Sequence, residues 1–371
     1  MKPRLFFGNF EFEHRLADPT HQLSAKLKQL NAELAPAWLA IAEDGDWIWT
    51  PSPIDPEFFH KLRSAGLPQV NPVTSLSEVP YDVEFVPWGW SAEVREFAER
   101  FRGNAISPTE SAVKIGNSRA TSEELERNWG VGLPHARRIE SLVELKNAIS
   151  SLPGSGCRWV VKAEFGMSAR ERILGHGSLK VADENWIKRR LDAHGVVFFE
   201  PWVERMEELG VQIEVPATGE PQLVGLTPML VDNRGQYAGS WFAYHDSRFD
   251  GHRALWQQAT EAGLRAARYL QSIGYFGPLG IDAMIYRDAQ GSPRLRPLQD
   301  INARWTMGRV SLGWRRLLEP GDEAYWQHGP RDEVTLPANF DLSRTVTTGP
   351  EQIAGIPCLH RSQVLIGRTN V

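Results

Sequence analysis

Residues 280–308, GIDAMIYRDAQGSPRLRPLQDINARWTMG, constrain this chain more than any other stretch. Two apolar runs, 281–286 and 295–301, flank a polar Asp-Ala-Gln-Gly-Ser-Pro segment, which is turn chemistry. The pattern predicts an antiparallel hairpin, with Asp282 opening one strand and Asp300 and Asn302 closing its partner. All three side-chain oxygens then reach the same end of a sheet. An Asp at either end of a hairpin is in most chains simply a solvated flank. The D-x-N-x-R spacing of Asp300, Asn302 and Arg304 argues for more, because strand residues two apart share a face. Hard divalent cations take oxygen ligands, and a guanidinium beside them suits phosphate.

The rest of the chain supplies pieces that could serve such a site. Residues 157–164, CRWVVKAE, form a β-rich run holding one lysine, Lys162. A buried ammonium needs an anion, and a nucleotide phosphate is a good one. The following FGMSARER contains Gly166, Ser168, Arg170 and Arg172, a Gly/Ser loop able to close over phosphates through backbone N–H groups and guanidinium forks. It is not a Walker A loop. Upstream, Asn117-Ser118-Arg119 precedes Thr121-x-x-Glu124, read as a capping box for a helix that stops at Gly130, and a second helix starts at Ser141-x-x-Glu144. Residues 195–203, GVVFFEPWV, read as an apolar strand ending in Glu200, Pro201, Trp202 and Val203. Pro201 lacks the N–H of an interior ladder residue and suits a crossover.

Taken in order, "NSR … GLP … WVVKAEFGMSARERI … EPWVE … GIDAM … QDINARWTMG" resembles the ATP-grasp superfamily over roughly residues 105–310. The resemblance implies an α/β fold: a pre-ATP-grasp domain at 1–105, a two-lobed ATP-grasp domain at 106–310 with its small lobe at about 135–200, and a C-terminal extension at 311–371 packing on that core. It also implies ATP with Mg²⁺ or Mn²⁺, the metal being held by Asp282, Asp300 and Asn302. Asp300 stands where the family more often has Glu. Lys162 would contact the nucleotide, as would a first basic residue, Arg119 or Lys114. Gly166 and Ser168 would cover the γ-phosphate, with Arg170, Arg172 and Arg304 stabilising developing charge. Glu200 and backbone groups of Trp202 and Val203 would meet the adenine edge, and Glu204, or else Glu208, the ribose hydroxyls. The activity implied is carboxylate–amine ligation through an acylphosphate, on an amino acid or other small carboxylate. A phosphotransferase and a non-catalytic nucleotide-binding scaffold are the alternatives. The "x-I-D-x-M" piece also resembles D-alanine–D-alanine ligases, but Gly280 stands where those have a catalytic Arg, so their substrate is not carried over.

Ahead of these motifs, 4–12 (RLFFGNFEF), 46–50 and 83–90 read as strands. Helices are expected with Leu23, Leu27, Leu30 and Leu34 on one face, from Asp55-Pro56-Glu57 to Gly66, and from Ser91 to near Gly103. The alternation predicts a parallel sheet without a dinucleotide fingerprint. Phe7-Gly8-Asn9 and Trp88-Gly89-Trp90 read as turn glycines among core aromatics. Beyond the hairpin the last fifty residues are turn-rich, with a strand-like 358–366 and no functional reading.

Composition narrows the classes. A net charge of −5 offers no footprint for nucleic acid or an anionic membrane, and no apolar run approaches ~18 residues. Two cysteines make neither a disulfide framework nor a metal cluster, and the N-terminus carries no signal-like apolar segment. No Ser/His or paired-His motif is present. The expectation is a cytoplasmic enzyme whose partners are ATP and two small-molecule substrates, with a homodimer allowed.

Overall fold

Apolar Leu5, Phe6 and Phe7 draw β1 (Arg4–Phe7) into the interior, with Arg4 half-buried at its start. The computed structural model describes residues 2–101, 106–154, 156–166, 171–231, 237–244, 250–330 and 340–369. Strand β1 lies parallel between β2 (Trp47–Trp49) and β4 (Glu84–Pro87), with β3 (Asn71–Val73) outside β2. This is the parallel sheet the alternation predicts. Helices α1 (Phe12–Ala17), α2 (Ala25–Leu34), α3 (Pro56–Ser64) and α4 (Ala92–Ala98) connect and cover it. Asp55 caps α3 by accepting the Glu57 N–H at 2.9 Å, with Pro56 in its first turn. Helix α2 starts after Leu23, because Ser24 is its cap. Beyond Leu34 the chain tightens into a 3₁₀ turn, since Pro36 cannot donate the next α-helical bond.

Next come α5 (Glu110–Gly116) and α6 (Arg119–Trp129). Ser118, not Thr121, caps α6, its hydroxyl accepting the Ala120 N–H at 3.1 Å, so Arg119 is the first helical residue. Gly130 ends the helix at φ +67°, a left-handed conformation that favours glycine.

A small antiparallel sheet follows, in the order β5 (Arg137–Ile139), β8 (Val197–Pro201), β6 (Arg158–Lys162), β7 (Arg172–His176), covered by α7 (Leu142–Ser150) and α8 (Val181–His194). Trp159, Val161, Val197 and Phe199 pack toward the helices with Leu145 and Ile187. Strand alternation then puts Lys162, Phe198 and Glu200 on the opposite face.

That face looks onto an eight-stranded sheet. Its strands are β9 (Glu204–Val215), β10 (Gln222–Val231), β11 (Tyr237–Ala243), β12 (Gly277–Arg287), β13 (Pro293–Asn302), β14 (Glu323–Pro330), β15 (Phe340–Thr347) and β18 (His360–Thr369). They are ordered β13-β12-β9-β10-β11-β14-β18-β15. A short pair, β16 (Gln352–Ile353) and β17 (Ile356–Pro357), lies apart. The C-terminal residues, expected as an extension packing on the core, thus continue the sheet itself beyond β11. The sequence Asp232-Asn-Arg-Gly235 is turn chemistry, and it lies outside the described residues.

Helix α9 (Arg253–Ser272) lies under the sheet, and α10 (Met307–Gly313) follows the hairpin. Gly263 sets the approach of α9: a Cβ there would stand 3.2 Å from Ile213 and 3.4 Å from Val211. One continuous core joins the parallel sheet to the large sheet, running from Phe6, Trp38 and Trp88 to Val211, Ile281 and Leu298. The small sheet has its own core. No helix among the described residues is long and apolar enough to cross a membrane.

Candidate active site

The hairpin forms as predicted in outline, but its strands are longer and Asp282 lies inside β12, five residues after Gly277. Register places Asp282 directly across from Asp300 and Gly280 across from Asn302. Between Asp282 and Met284 the partner moves from Asp300 to Arg296, a bulge in the edge strand β13 beside the acids. Two carboxylates face each other where like charges repel. Burial, and then the charge of Asp300, push the Asp282 carboxyl up to about 7. The Asn302 amide reaches Asp282 at 3.5 Å.

Two guanidiniums attend this group. Arg119 Nη2 donates to Asp300 at 3.0 Å, and its Nη1 donates to the Ala163 carbonyl at 2.7 Å, spanning hairpin and small sheet. Lys114, the other candidate for the first basic residue, is exposed on α5. Arg304 donates to Asn302 Oδ1 at 3.0 Å, pairs with Glu13, and lies 5.8 Å from the Trp88 ring centroid. The N-terminal segment that carries Glu13 and Trp88 therefore closes one end of the site. Asn9 and Gly89 bond each other there, and Gly89 sits where a Cβ would strike Phe12. The turn-and-core reading of those two motifs stands.

Several buried polar atoms here have no hydrogen-bond partner among the described residues: Arg119 Nε, Gln299 Oε1, Arg304 Nε and Glu13 Oε2. Buried polar groups are normally satisfied, so a cluster of open ones marks a place where something polar is missing. Asp282, Asp300 and Asn302 offer oxygen ligands of the kind Mg²⁺ takes, and the residues fit that ion. The set is two carboxylates and an amide. Among the described residues no group of three or more His, Cys, Asp or Glu could hold a metal.

Across the cleft, Lys162 is buried and its Nζ lies 3.0 and 2.8 Å from the two Glu200 oxygens. Burial pulls the Lys162 pKa down even though Glu200 opposes it. Burial acts on Glu200 in the other direction, but Arg296 and Lys162 outweigh it and hold that carboxylate well below its usual range. Glu200 is therefore committed: the same Oε1 also accepts from Arg296 Nη2 at 3.0 Å. Arg296 in turn donates to both oxygens of Glu126, at 2.7 and 3.0 Å. Neither Arg296 nor Glu126 stood out in the sequence, although an arginine inside an apolar strand raises the same question as Lys162.

The remaining candidates divide. Arg172 stands directly across from Lys162 in the β6–β7 register. Gly166 packs close to Arg119, its would-be Cβ 3.3 Å from Nη1. Ser168 and Arg170 lie outside the described residues. The Trp202 N–H is used by the Arg158 carbonyl at 2.9 Å, so it cannot also meet a base edge. Val203 joins an apolar cluster with Leu133, Met284 and Tyr286. Glu204 sits exposed at a strand end with Arg287, 3.1 Å away, and does not face the acids. Glu208 does, because it pairs in register with Met284 as Gly210 pairs with Asp282, and its charge adds to the shift at Asp282. At Gly280 a Cβ would stand 2.5 Å from Thr306, so no longer residue fits there.

No protein-family model matches this chain. The butirosin acyl-carrier-protein–L-glutamate ligase of Niallia circulans is 26% identical over 295 residues, which cover 72% of this chain and 65% of that relative. The match thus spans less than two thirds of the relative's length. Solved structures share the fold end to end. The N5-carboxyaminoimidazole synthetase of Staphylococcus aureus complexed with ADP gives a TM-score of 0.54 at 11% identity, covering 100% of this chain and 94% of that one. The biotin carboxylase–βγ-ATP complex of Campylobacter jejuni gives 0.55 at 11%, covering 100% and 88%. The N5-carboxyaminoimidazole ribonucleotide synthetase of Thermus thermophilus gives 0.53 at 14%, covering 99% and 94%.

Proposed function

We propose that this chain, which shares its fold with synthetase and carboxylase structures solved with ADP or an ATP analogue, is an ATP-dependent carboxylate–amine ligase of the ATP-grasp type. Arg119 carries the reading: one guanidinium ties the acid hairpin to the end of the lysine strand, so charge-bearing faces of two sheets meet at one cleft. ATP fits between them, with its phosphates toward Lys162, Arg119 and Arg172. Its base fits beside Val203, Met284 and Tyr286, and its ribose near Glu208 rather than Glu204. Asp282, Asp300 and Asn302 would hold Mg²⁺, which when bound neutralises charge on the phosphates.

A substrate carboxylate attacks the γ-phosphorus of ATP, and ADP leaves with the bond's electron pair. An amine then attacks the acyl carbon of the acylphosphate, phosphate departs, and the amine loses a proton. Such chemistry asks the protein for position and charge, not for a nucleophile of its own. Arg304, held between Asn302 and Glu13, would stabilise the transferring phosphoryl group at the end closed by the N-terminal segment. The N. circulans relative, by its name an L-glutamate ligase, supports an amino acid as one of the two substrates.

Screening amino acids and small carboxylic acids in pairs for ADP release tests the proposal. ADP and free phosphate should appear only with Mg²⁺ and with both a carboxylate and an amine. Phosphate retained on a product would make the protein a phosphotransferase, and no ADP under any pairing would make it a nucleotide-binding scaffold.

A further inference from the structure

The buried chain Lys162–Glu200–Arg296–Glu126 contains more charge than Lys162 requires. The four side chains are 10%, 11%, 5% and 5% exposed. Glu200 alone would neutralise Lys162. The second pair adds desolvation that a hydrophobic pair of similar volume would avoid, so stability does not explain it. The four residues come from β6, β8, β13 and α6, so no local constraint forces them together.

What the second pair changes is the freedom of Lys162. With Glu200 as its only partner, an ammonium turning toward a triphosphate would leave a buried carboxylate uncompensated, which is costly. Here Glu200 keeps a cation after Lys162 departs, because Arg296 already bonds the same Oε1. Arg296 itself is held back from the phosphates by the two-pronged grip of Glu126.

We propose that Arg296 and Glu126 are positioning residues that take over Glu200 and so release Lys162 to the nucleotide. This rests on the nucleotide site proposed above and goes beyond it, since neither residue touches ATP.

The test removes the second pair as a neutral unit, Glu126→Leu with Arg296→Met, and measures binding of a non-hydrolysable Mg-ATP analogue. The double variant should fold with an unchanged or raised Tm. Its affinity should fall roughly ten- to hundredfold, the loss of one charge-assisted contact. Adding Glu200→Gln should recover most of that loss, because Lys162 is no longer trapped. A purely structural role predicts no such recovery. Arg296→Lys with Glu126 intact keeps the charge and should bind within a fewfold of wild type. Wild-type affinity in the double variant, or a loss that Glu200→Gln leaves unrepaired, overturns the inference while the nucleotide reading stands. A wild-type protein that binds no Mg-ATP analogue removes both.

Discussion

The two faces of the cleft carry similar numbers of charges and use them in opposite ways. On one side Lys162 and Glu200 of the small sheet are joined by Arg296 of β13 and Glu126 of α6; the four alternate in sign, and each finds its partner within 3.0 Å. On the other side Asp282 and Asp300 oppose each other, and polar atoms of Arg119, Arg304 and Gln299 have no partner among the described residues. One face is neutral without help and is built to hold geometry. The other is unbalanced and gains most from a bound cation.

The sharpest way to break this contrast is Asp300→Asn. If the hairpin acids hold the metal, ADP release should disappear. The fold should survive, because relief of Asp282 and loss of the 3.0 Å Arg119 pair act against each other. Tm should stay the same or rise. A large fall in Tm with metal-independent ADP release retained would make Asp300 a structural residue.

A second measurement uses pH on the metal-free protein. Asp282 sits near 7 when folded and near 3.8 when unfolded, so the folded state holds a proton between those values that the unfolded state has lost. Stability should therefore fall as pH rises from about 4 to about 7, by roughly 2–4 kcal/mol, and level off above that. Saturating Mg²⁺, or Asp282→Asn, should flatten the curve. Urea titrations across this range with and without Mg²⁺ decide it; a profile equally steep in Asp282→Asn would place the proton elsewhere.

On the opposite face, Lys162→Ala should weaken nucleotide binding by ~1.5–3 kcal/mol, with Glu200 still held by Arg296. Calorimetric titration of the folded variant checks this. Unchanged affinity would leave Lys162 a structural partner of Glu200 and nothing more.

Much of the hairpin face was legible because its information is local. Turn residues, two-residue spacing and apolar runs lie within one thirty-residue window, and they placed Asp282, Asp300 and Asn302 together. The chain from Lys162 to Glu126 was legible only at Lys162. Arg296 meets Glu126 and Glu200 across separations of 170 and 96 residues, which no periodicity reports. The rule that flagged a lysine in an apolar strand applies equally to Arg296 in PRLRPLQDI, and following it would have exposed half the network. The C-terminal strands were hidden for the same reason: β14 and β18 pair across some thirty residues, and their apolar alternation says nothing about which sheet they extend.

The smallest expected effect decides which carboxylate belongs to the site. Glu204 and Glu208 are four residues apart on β9, yet only Glu208 is buried and faces the acids. Glu204 pairs with Arg287 in the open, and an exposed pair of that kind contributes little. Glu204→Gln should therefore shift neither Tm nor the KM for ATP measurably. Glu208 accepts from Arg205 at 3.2 Å and Gln299 at 3.3 Å, which aim it across the sheet. Replacing it by Gln keeps the shape and removes the charge that a ribose hydroxyl would meet. The KM for ATP should rise about fivefold, equivalent to ~1 kcal/mol, with kcat little changed. Wild type should prefer ATP over 2′-deoxy-ATP, and Glu208→Gln should lose that preference. If Glu204→Gln erases it instead, the strand must re-register when nucleotide binds, and the static contrast between the two faces would have to be redrawn around a moving β9.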